Sequence, residues 1–195
     1  GTALVAAQKL DRKWIGVDIT YLSIAVMKAR LKDSFGIEVP VIGQPTEVEG
    51  ARQLAIGDDG RYQFQWWALN LIDARPLGGT EKKGADRGID GRLYYHEGGR
   101  LSKTQQIILS VKAGKPTSAH GRDLRGVVHR ARAEIGALLL MQEPTREMTK
   151  EAAAAGFFES SWGRHPRIQI LTADKLLRGA QLDYPAPRHT NVTHR

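Results

Sequence analysis

Past residue 60 the chain alternates between short apolar runs and helical stretches, and this order limits the folds that it can adopt. Strands joined through helices pair in one sheet, and the helices cover its faces. We therefore predict a mixed α/β domain with helices packed on a central sheet. The predicted elements are helices over 62–74, 123–133, 145–155 and 173–179 and strands over 92–96, 105–111, 135–141 and 167–171.

Composition narrows the class of protein further. In 195 residues, 41% are hydrophobic and 26% are charged, which suits one ordinary domain, or one with a short appendage. The absence of cysteine excludes a disulfide framework and a thiolate metal site. No apolar run approaches the roughly 18 residues of a membrane span, and the first residues lack the charged start of a signal peptide. We expect a cytoplasmic protein with no membrane contact.

The charge balance favours a polyanionic partner. A net charge of +8 and an isoelectric point near 9.9 point first to nucleic acid. Several basic side chains follow the second predicted strand, and they either form a solvated face or contact DNA phosphates. The candidate DNA-binding residues are Lys115, Arg122, Arg125 and Arg130.

The first 36 residues predict a helix, a strand over 14–19 and a second helix that begins after Thr20. A glycine turn before a helix lets a ligand approach the free backbone N–H groups, and Gly1-Thr2 has this pattern. An acid about 20 residues later, at a strand tip, can bind ribose hydroxyls, and Asp18 has about that spacing. The alternative is that Asp18 merely caps the following helix.

This segment resembles the end of the S-adenosylmethionine motif of amino-group DNA methyltransferases, F-x-G-x-G-T-T followed by A-x-x-x-x-R-x-x-I-G-x-D/E. The resemblance implies a truncated Rossmann-like remnant in which Gly1, Thr2 and Asp18 bind S-adenosylmethionine in the parent enzyme. In the permuted subgroup the catalytic D/N/S-P-P-Y/F motif comes first, and this sequence lacks it. The missing N-terminal catalytic part is therefore an expected partner, and this chain cannot transfer a methyl group unaided.

A second constellation lies in the predicted hairpin over 90–112. Antiparallel pairing brings Asp90, at the start of one strand, close to Lys112, at the end of the next. Asp86 lies on the same loop. Phosphodiester hydrolysis uses a divalent cation held by hard oxygen ligands, and a lysine can orient the attacking water. The alternative is an ordinary turn at Asp90 and a solvated strand end at Lys112.

The segment G-x-D-x-G-I-D-G over 84–91, with the later strand that ends in S-V-K, resembles the Mrr-like branch of the PD-(D/E)xK restriction-endonuclease fold. The resemblance covers about residues 60–178 and implies a mixed-sheet α/β domain that acts on double-stranded DNA. It implies that Asp90 and Asp86 hold Mg²⁺ and that Lys112 takes part in catalysis.

Two positions depart from the active pattern of that family. Ser110 stands where an acid or glutamine is usual, and Gln65 stands where the helix carries glutamate. A serine is a poor metal ligand beside a carboxylate. We therefore keep two hypotheses for the domain: residual cleavage in which Asp86 compensates, or DNA binding without cleavage.

The whole chain is thus interpreted as part of a site-specific DNA modification enzyme. The predicted units are a methyltransferase remnant over 1–36, a linker over 37–60, the endonuclease-like domain over 61–180 and a tail over 181–195. A further alternative is a protein-interaction domain attached to the methyltransferase. Trp66 and Trp67 are predicted to be core residues, and the histidine spacing indicates no zinc site.

Overall fold

The computed structural model describes residues 1–56, 60–77, 88–97 and 103–185. The helices are α1 (Thr2–Lys9), α2 (Tyr21–Phe35), α3 (Val48–Leu54), α4 (Gly60–Asn70), α5 (Ser118–Arg130), α6 (Arg146–Ala154) and α7 (Ala173–Leu177). The strands are β1 (Arg75–Pro76), β2 (Gly91–His96), β3 (Thr104–Lys112), β4 (Ile135–Leu140), β5 (Phe157–Ser160), β6 (Gly163–Pro166) and β7 (Ile168–Thr172).

A five-stranded mixed sheet forms the centre of the fold, with strand order β1-β2-β3-β4-β7. The pairs β1–β2 and β2–β3 are antiparallel, and β3–β4 and β4–β7 are parallel. Helix α5 connects β3 to β4, and α6 with the β5–β6 hairpin connects β4 to β7. The predicted mixed α/β architecture is confirmed.

Strand β3 lies in the middle of the sheet, and its side chains serve two separate cores. Ile107 and Leu109 pack in a cluster with Trp67 of α4, whereas Ile108 packs with Leu124 and other residues of α5. Successive side chains of a strand point to opposite faces of the sheet. The apolar run of β3 therefore contributes side chains to the cores on both faces. All six residues of β4 are buried, as expected for a parallel strand covered on both sides.

Most predicted helices form, with boundaries that local caps explain. The side chains of Thr20, Thr145 and Thr172 accept hydrogen bonds from the first turns of α2, α6 and α7. Helix α5 begins at Ser118, earlier than the predicted start at 123, and the His120 ring of its first turn accepts a hydrogen bond from the Thr117 N–H there. Trp66 and Trp67 are buried as predicted.

The strand predicted over 14–19 is wrong, and no Rossmann-like unit is seen in the first 36 residues. A buried strand needs a neighbouring strand to satisfy its backbone N–H and C=O groups. No described strand pairs with this segment, so Ile15, Val17 and Ile19 are 91%, 89% and 91% exposed. The apolar pattern was present, but the pairing that strand formation depends on was not.

The residues interpreted as a linker contain helix α3, and this helix packs on the main core. Ala51 is fully buried, and Leu54 and Ala55 contact the same cluster as Trp67. Tyr21 at the start of α2 also packs there. The proposed domain boundaries remain predictions.

Within the described ranges, no helix is both long enough and apolar enough to cross a lipid bilayer.

We predict a sharp contrast in amide hydrogen exchange between the exposed segment 14–19 and the centre of β3. Among the described residues, no backbone hydrogen bond involves the amides of 14–19, whereas the amides of 107–111 lie between two paired strands. Exchange followed by NMR should therefore be fast over 15–19 and slowest over 107–111. Equal protection of the two segments would show that 14–19 is paired in solution.

Candidate functional site

The backbone of Asp90 is held in place where strand β2 begins. Its N–H donates to the carbonyl of Leu109 over 2.8 Å, and its own carbonyl accepts from the N–H of Leu77 over 3.0 Å. The buried side chain of Gln65 donates to the same carbonyl over 3.3 Å. Gln65 therefore positions the backbone of Asp90 from helix α4.

The pairing of β2 with β3 sets the position of the Asp90 side chain. Gly91 pairs with Leu109, so the preceding Asp90 lies opposite Ser110. Its Oδ2 accepts from the backbone N–H of Val111 over 2.7 Å and from the Ser110 hydroxyl over 3.1 Å. The Lys112 ammonium lies 3.5 Å from the same oxygen. The structure thus brings together four of the predicted site residues: Gln65, Asp90, Ser110 and Lys112.

This centre is partly shielded from water without being closed off. The side chains of Lys112 and Asp90 are 31% and 24% exposed, and Ser110 is buried. Within the described residues, the hydrogen bonds and the ion pair of the Asp90 carboxylate all fall on Oδ2. Oδ1 is therefore the oxygen that can face a cation or a substrate.

The described residues supply a sparse ligand set for a metal ion. They contain no group of three or more His, Cys, Asp or Glu side chains that could hold one. Asp86, the second predicted metal ligand, lies outside the described residues. Mg²⁺ is commonly bound by one or two carboxylates together with waters and substrate phosphates. A single carboxylate oxygen of Asp90 fits a cation that a phosphate helps to hold.

A basic cavity of about 460 Å³ lies beside this centre, between the end of β3 and helix α5. Ser110 and Lys112 line it from the strand side. Helix α5 contributes His120, Arg122, Asp123 and Arg130 to the opposite wall. Among the lining residues, Lys112, Arg122 and Arg130 carry a positive charge and Asp123 carries a negative charge. The cavity therefore favours an anion.

The structure separates the candidate DNA-binding residues into two groups. Arg122 and Arg130 line the cavity from positions about two turns apart on α5. Arg125 and Lys115 are exposed, on α5 and on the loop before it, and they are not among the residues that line the cavity. DNA contact by all four remains a prediction.

Sequence reasoning missed His120, which lies in this cavity. Its Nδ1 accepts a hydrogen bond from the backbone N–H of Thr117 over 3.2 Å. Burial of the ring and, second, the Lys112 ammonium lower the pKa of His120, whereas Asp123 acts in the opposite direction. The T-x-x-H spacing of a capping box was the signal that could have identified its orientation.

The first predicted site has a different geometry from the expected cofactor pocket. The carboxylate of Asp18 accepts from the backbone N–H and the hydroxyl of Thr20 over 2.9 and 3.0 Å, and these bonds lower the pKa of Asp18. Asp18 thus stabilises the start of α2, as in the alternative interpretation. Gly1 precedes α1, and an added Cβ there would meet the Met27 side chain at 2.9 Å. With no strand behind Asp18, the described residues do not fit a nucleoside site, and the roles of Gly1, Thr2 and Asp18 stay predictions.

A second cluster that sequence reasoning missed lies on the β5–β6 hairpin. His165 is buried, with its Nε2 3.2 Å from the Ser160 hydroxyl and its Nδ1 2.7 Å from the Asp183 carboxylate. The same hydroxyl donates to the Gly163 carbonyl and accepts from the Trp162 N–H, each over 3.0 Å. The cluster closes the hairpin turn and ties it to the segment after α7, which is a structural role.

Comparisons with known proteins give little further information. No family model and no curated protein matches the sequence. A solved structure of the restriction endonuclease FokI aligns with a TM-score of 0.42 and 12% identity over 86% of this chain and 31% of that chain. The chain thus spans about a third of the length of that structure. A TM-score at this level assigns no family, so the proposals below depend on the site geometry.

We predict that the Asp90 carboxylate stabilises the fold as well as the site. Asp90→Ala removes the acceptor for the Val111 N–H and the Ser110 hydroxyl, which costs about 1–3 kcal/mol of unfolding free energy. Asp90→Asn keeps one side-chain oxygen as an acceptor and should cost less. Urea denaturation of the two variants tests this, and equal loss of stability would contradict it.

We also predict that acidification weakens the start of α5 through His120. Its lowered pKa means that the folded state binds fewer protons at this ring than the unfolded state does. Its contribution to stability is therefore complete above the unfolded value, near pH 6.5, and is lost as the pH falls through the lowered pKa. Thermal unfolding at pH 7.5 and 5.5 should show a larger drop for the wild type than for His120→Asn. An equal drop would contradict this role.

Proposed function

We propose that residues 61–180 form a DNA-binding domain that cleaves phosphodiester bonds in double-stranded DNA with a divalent cation. The observation that carries this proposal is that Lys112, which lines the basic cavity, lies 3.5 Å from the carboxylate of Asp90. A carboxylate for a hard cation and an ammonium for a developing negative charge are the two groups that this reaction needs. The arrangement of a strand-initial acid and a strand-terminal lysine agrees with the resemblance to the PD-(D/E)xK fold.

Asp90 provides the anionic oxygen of the site. When bound, Mg²⁺ would polarise the phosphate and lower the pKa of the attacking water. Asp90 would hold the cation through Oδ1, while Oδ2 stays fixed by the Val111 N–H and the Ser110 hydroxyl. Asp86 remains the proposed second ligand.

Lys112 supplies positive charge beside the same carboxylate. Its side chain is 31% exposed, so a phosphate oxygen or a water that reaches the ammonium beside Asp90 can accept from it. We assign Lys112 to orienting the water and stabilising the pentavalent phosphate. Ser110 and Gln65 are positioning residues, since they hold the Asp90 side chain and its carbonyl.

Arg122 and Arg130 would contact phosphates of the DNA that enters the cavity, with Lys115 and Arg125 on adjacent exposed surface. The net charge of +8 is consistent with this assignment. Such binding loses affinity as salt rises, and each neutralised phosphate contributes about one unit to the slope of log K against log salt.

A second candidate function is DNA binding without cleavage. It is favoured by Ser110, whose hydroxyl donates to Asp90 in place of an additional carboxylate at the site. In this function Lys112 and the arginines of α5 bind the phosphate backbone of DNA. Asp90 then serves only to order the end of β3. A protein-interaction role is the third possibility, and it predicts no salt-sensitive DNA binding.

We further propose that residues 1–36 belong to a DNA methyltransferase whose catalytic part lies outside this sequence. The proposal rests on the motif that begins at Gly1-Thr2 and ends at Asp18. Sequencing the gene upstream of Gly1 tests it. A D/N/S-P-P-Y/F motif in the same reading frame would support the proposal, and an in-frame start without one would contradict it.

The cleavage assay uses plasmid DNA with Mg²⁺ or Mn²⁺ and three variants. Asp90→Asn and Lys112→Ala should each lower the rate by about 10²-fold or more, as loss of one electrostatic group in an active site typically does. Lys103→Ala is the matched control, since Lys103 precedes the other end of β3, about 30 Å away at the usual rise per residue.

Intact plasmid with every protein, together with salt-sensitive binding of the wild type, would establish DNA binding without cleavage. Cleavage that survives in Asp90→Asn would contradict the proposed site.

A further inference from the structure

We propose that His120 donates its Nε2–H to a phosphate oxygen of the DNA in the cavity between β3 and α5. This inference rests on the proposed function and adds a substrate-binding residue to the same site. His120 was absent from the motif that suggested the site, and only the folded chain places it beside Lys112.

The hydrogen bond at Nδ1 determines which ring nitrogen carries the proton. The Thr117 N–H donates to Nδ1 over 3.2 Å, so Nδ1 must be the unprotonated acceptor. A neutral imidazole then carries its only proton on Nε2. Burial and the nearby Lys112 ammonium favour this neutral form, because both lower the pKa of His120. The hydrogen bond at the start of α5 therefore leaves Nε2–H of His120 as a donor that faces away from Nδ1.

The surroundings of the ring favour an anion as the acceptor. Lys112 approaches from β3, and Arg122 and Arg130 line the cavity on α5. Asp123 is the acidic side chain among the lining residues and offsets one of these charges. A phosphodiester offers oxygens that accept both from the cations and from a neutral N–H.

The size of the cavity suits part of a nucleic-acid strand. Its volume of about 460 Å³ is many times the roughly 30 Å³ share of one water in the liquid. Because Ser110 lines the cavity and also contacts Asp90, a phosphate bound by His120 lies next to the proposed cleavage centre. His120 would then hold either the reacting phosphate or its neighbour.

The test variant is His120→Asn, with His129→Asn as the matched control on the same helix. An asparagine oxygen can replace Nδ1 as acceptor for the Thr117 N–H, but it provides no donor at the position of Nε2. His129 is exposed on α5 and is not among the residues that line the cavity. Affinity for a fluorescent duplex in EDTA, measured by anisotropy, should fall about tenfold for His120→Asn, as expected for loss of a hydrogen bond to a charged group. It should be unchanged for His129→Asn.

Long-range ¹H–¹⁵N NMR of the imidazole rings provides a second readout that a purely structural cap would not give. The free wild type should show the Nε2–H form at His120, and added duplex or inorganic phosphate should shift the His120 ring signals and not those of His129. An Nδ1–H form, or ring signals that do not move, would overturn the inference.

The outcomes separate this inference from the proposed cleavage. If no protein cleaves DNA but His120→Asn loses affinity, the phosphate contact holds and the cleavage proposal fails. If the wild type cleaves and His120→Asn binds and cleaves equally well, His120 is only a helix cap and the inference fails alone. A wild type that neither binds nor cleaves the duplex, and whose His120 ring signals do not move with duplex or phosphate, would overturn both.

Discussion

The hydrogen bond from the Val111 N–H to the Asp90 carboxylate joins the fold of this protein to its candidate site. It spans 2.7 Å between the start of β2 and the end of β3, and the register of the hairpin places Asp90 opposite Ser110. The side chain is therefore oriented by main-chain pairing, which is far stiffer than a contact between two long side chains. Lys112 lies at the same end of β3, so the same strand pairing also places its ammonium beside Asp90.

The second constraint is the packing of α5 on the sheet. Leu124, Val127 and Val128 are buried against the sheet, which turns the polar side of the helix towards the end of β3. Arg122 and Arg130 on that side are exposed, and together with Lys112 they line the cavity. Positive charge in a partly enclosed space attracts a phosphate more strongly than the same charge on a flat surface.

Much of this arrangement could be predicted from the sequence. Two local signals were visible in the sequence: the apolar run that ends at Lys112 and the turn at Asp90. Pairing of β2 with β3 brings the two side chains into contact. The positions of Gln65 and Ser110 followed from the same pattern, together with the resemblance to an endonuclease fold.

What the sequence could not provide depends on partners distant along the chain. An apolar pattern over 14–19 is typical of a buried strand, but a strand needs a neighbour, and the described residues supply none. His120 lies in the site because α5 begins at Ser118, which places His120 in its first turn. The buried His165 contacts Asp183, and no local periodicity indicates such a pair.

The account depends most on Asp90 holding a cation jointly with a DNA phosphate, since the described residues offer one carboxylate oxygen for it. Paramagnetic broadening by Mn²⁺ in the ¹⁵N spectrum of the Lys112→Ala chain tests this directly, because that variant should leave the duplex uncut. We predict broadening of the amide signals of Asp90, Gly91 and Val111 at low Mn²⁺ only when duplex DNA is present. Broadening that is the same without DNA, that is centred on another part of the chain, or that is absent from a DNA-bound sample would contradict the account.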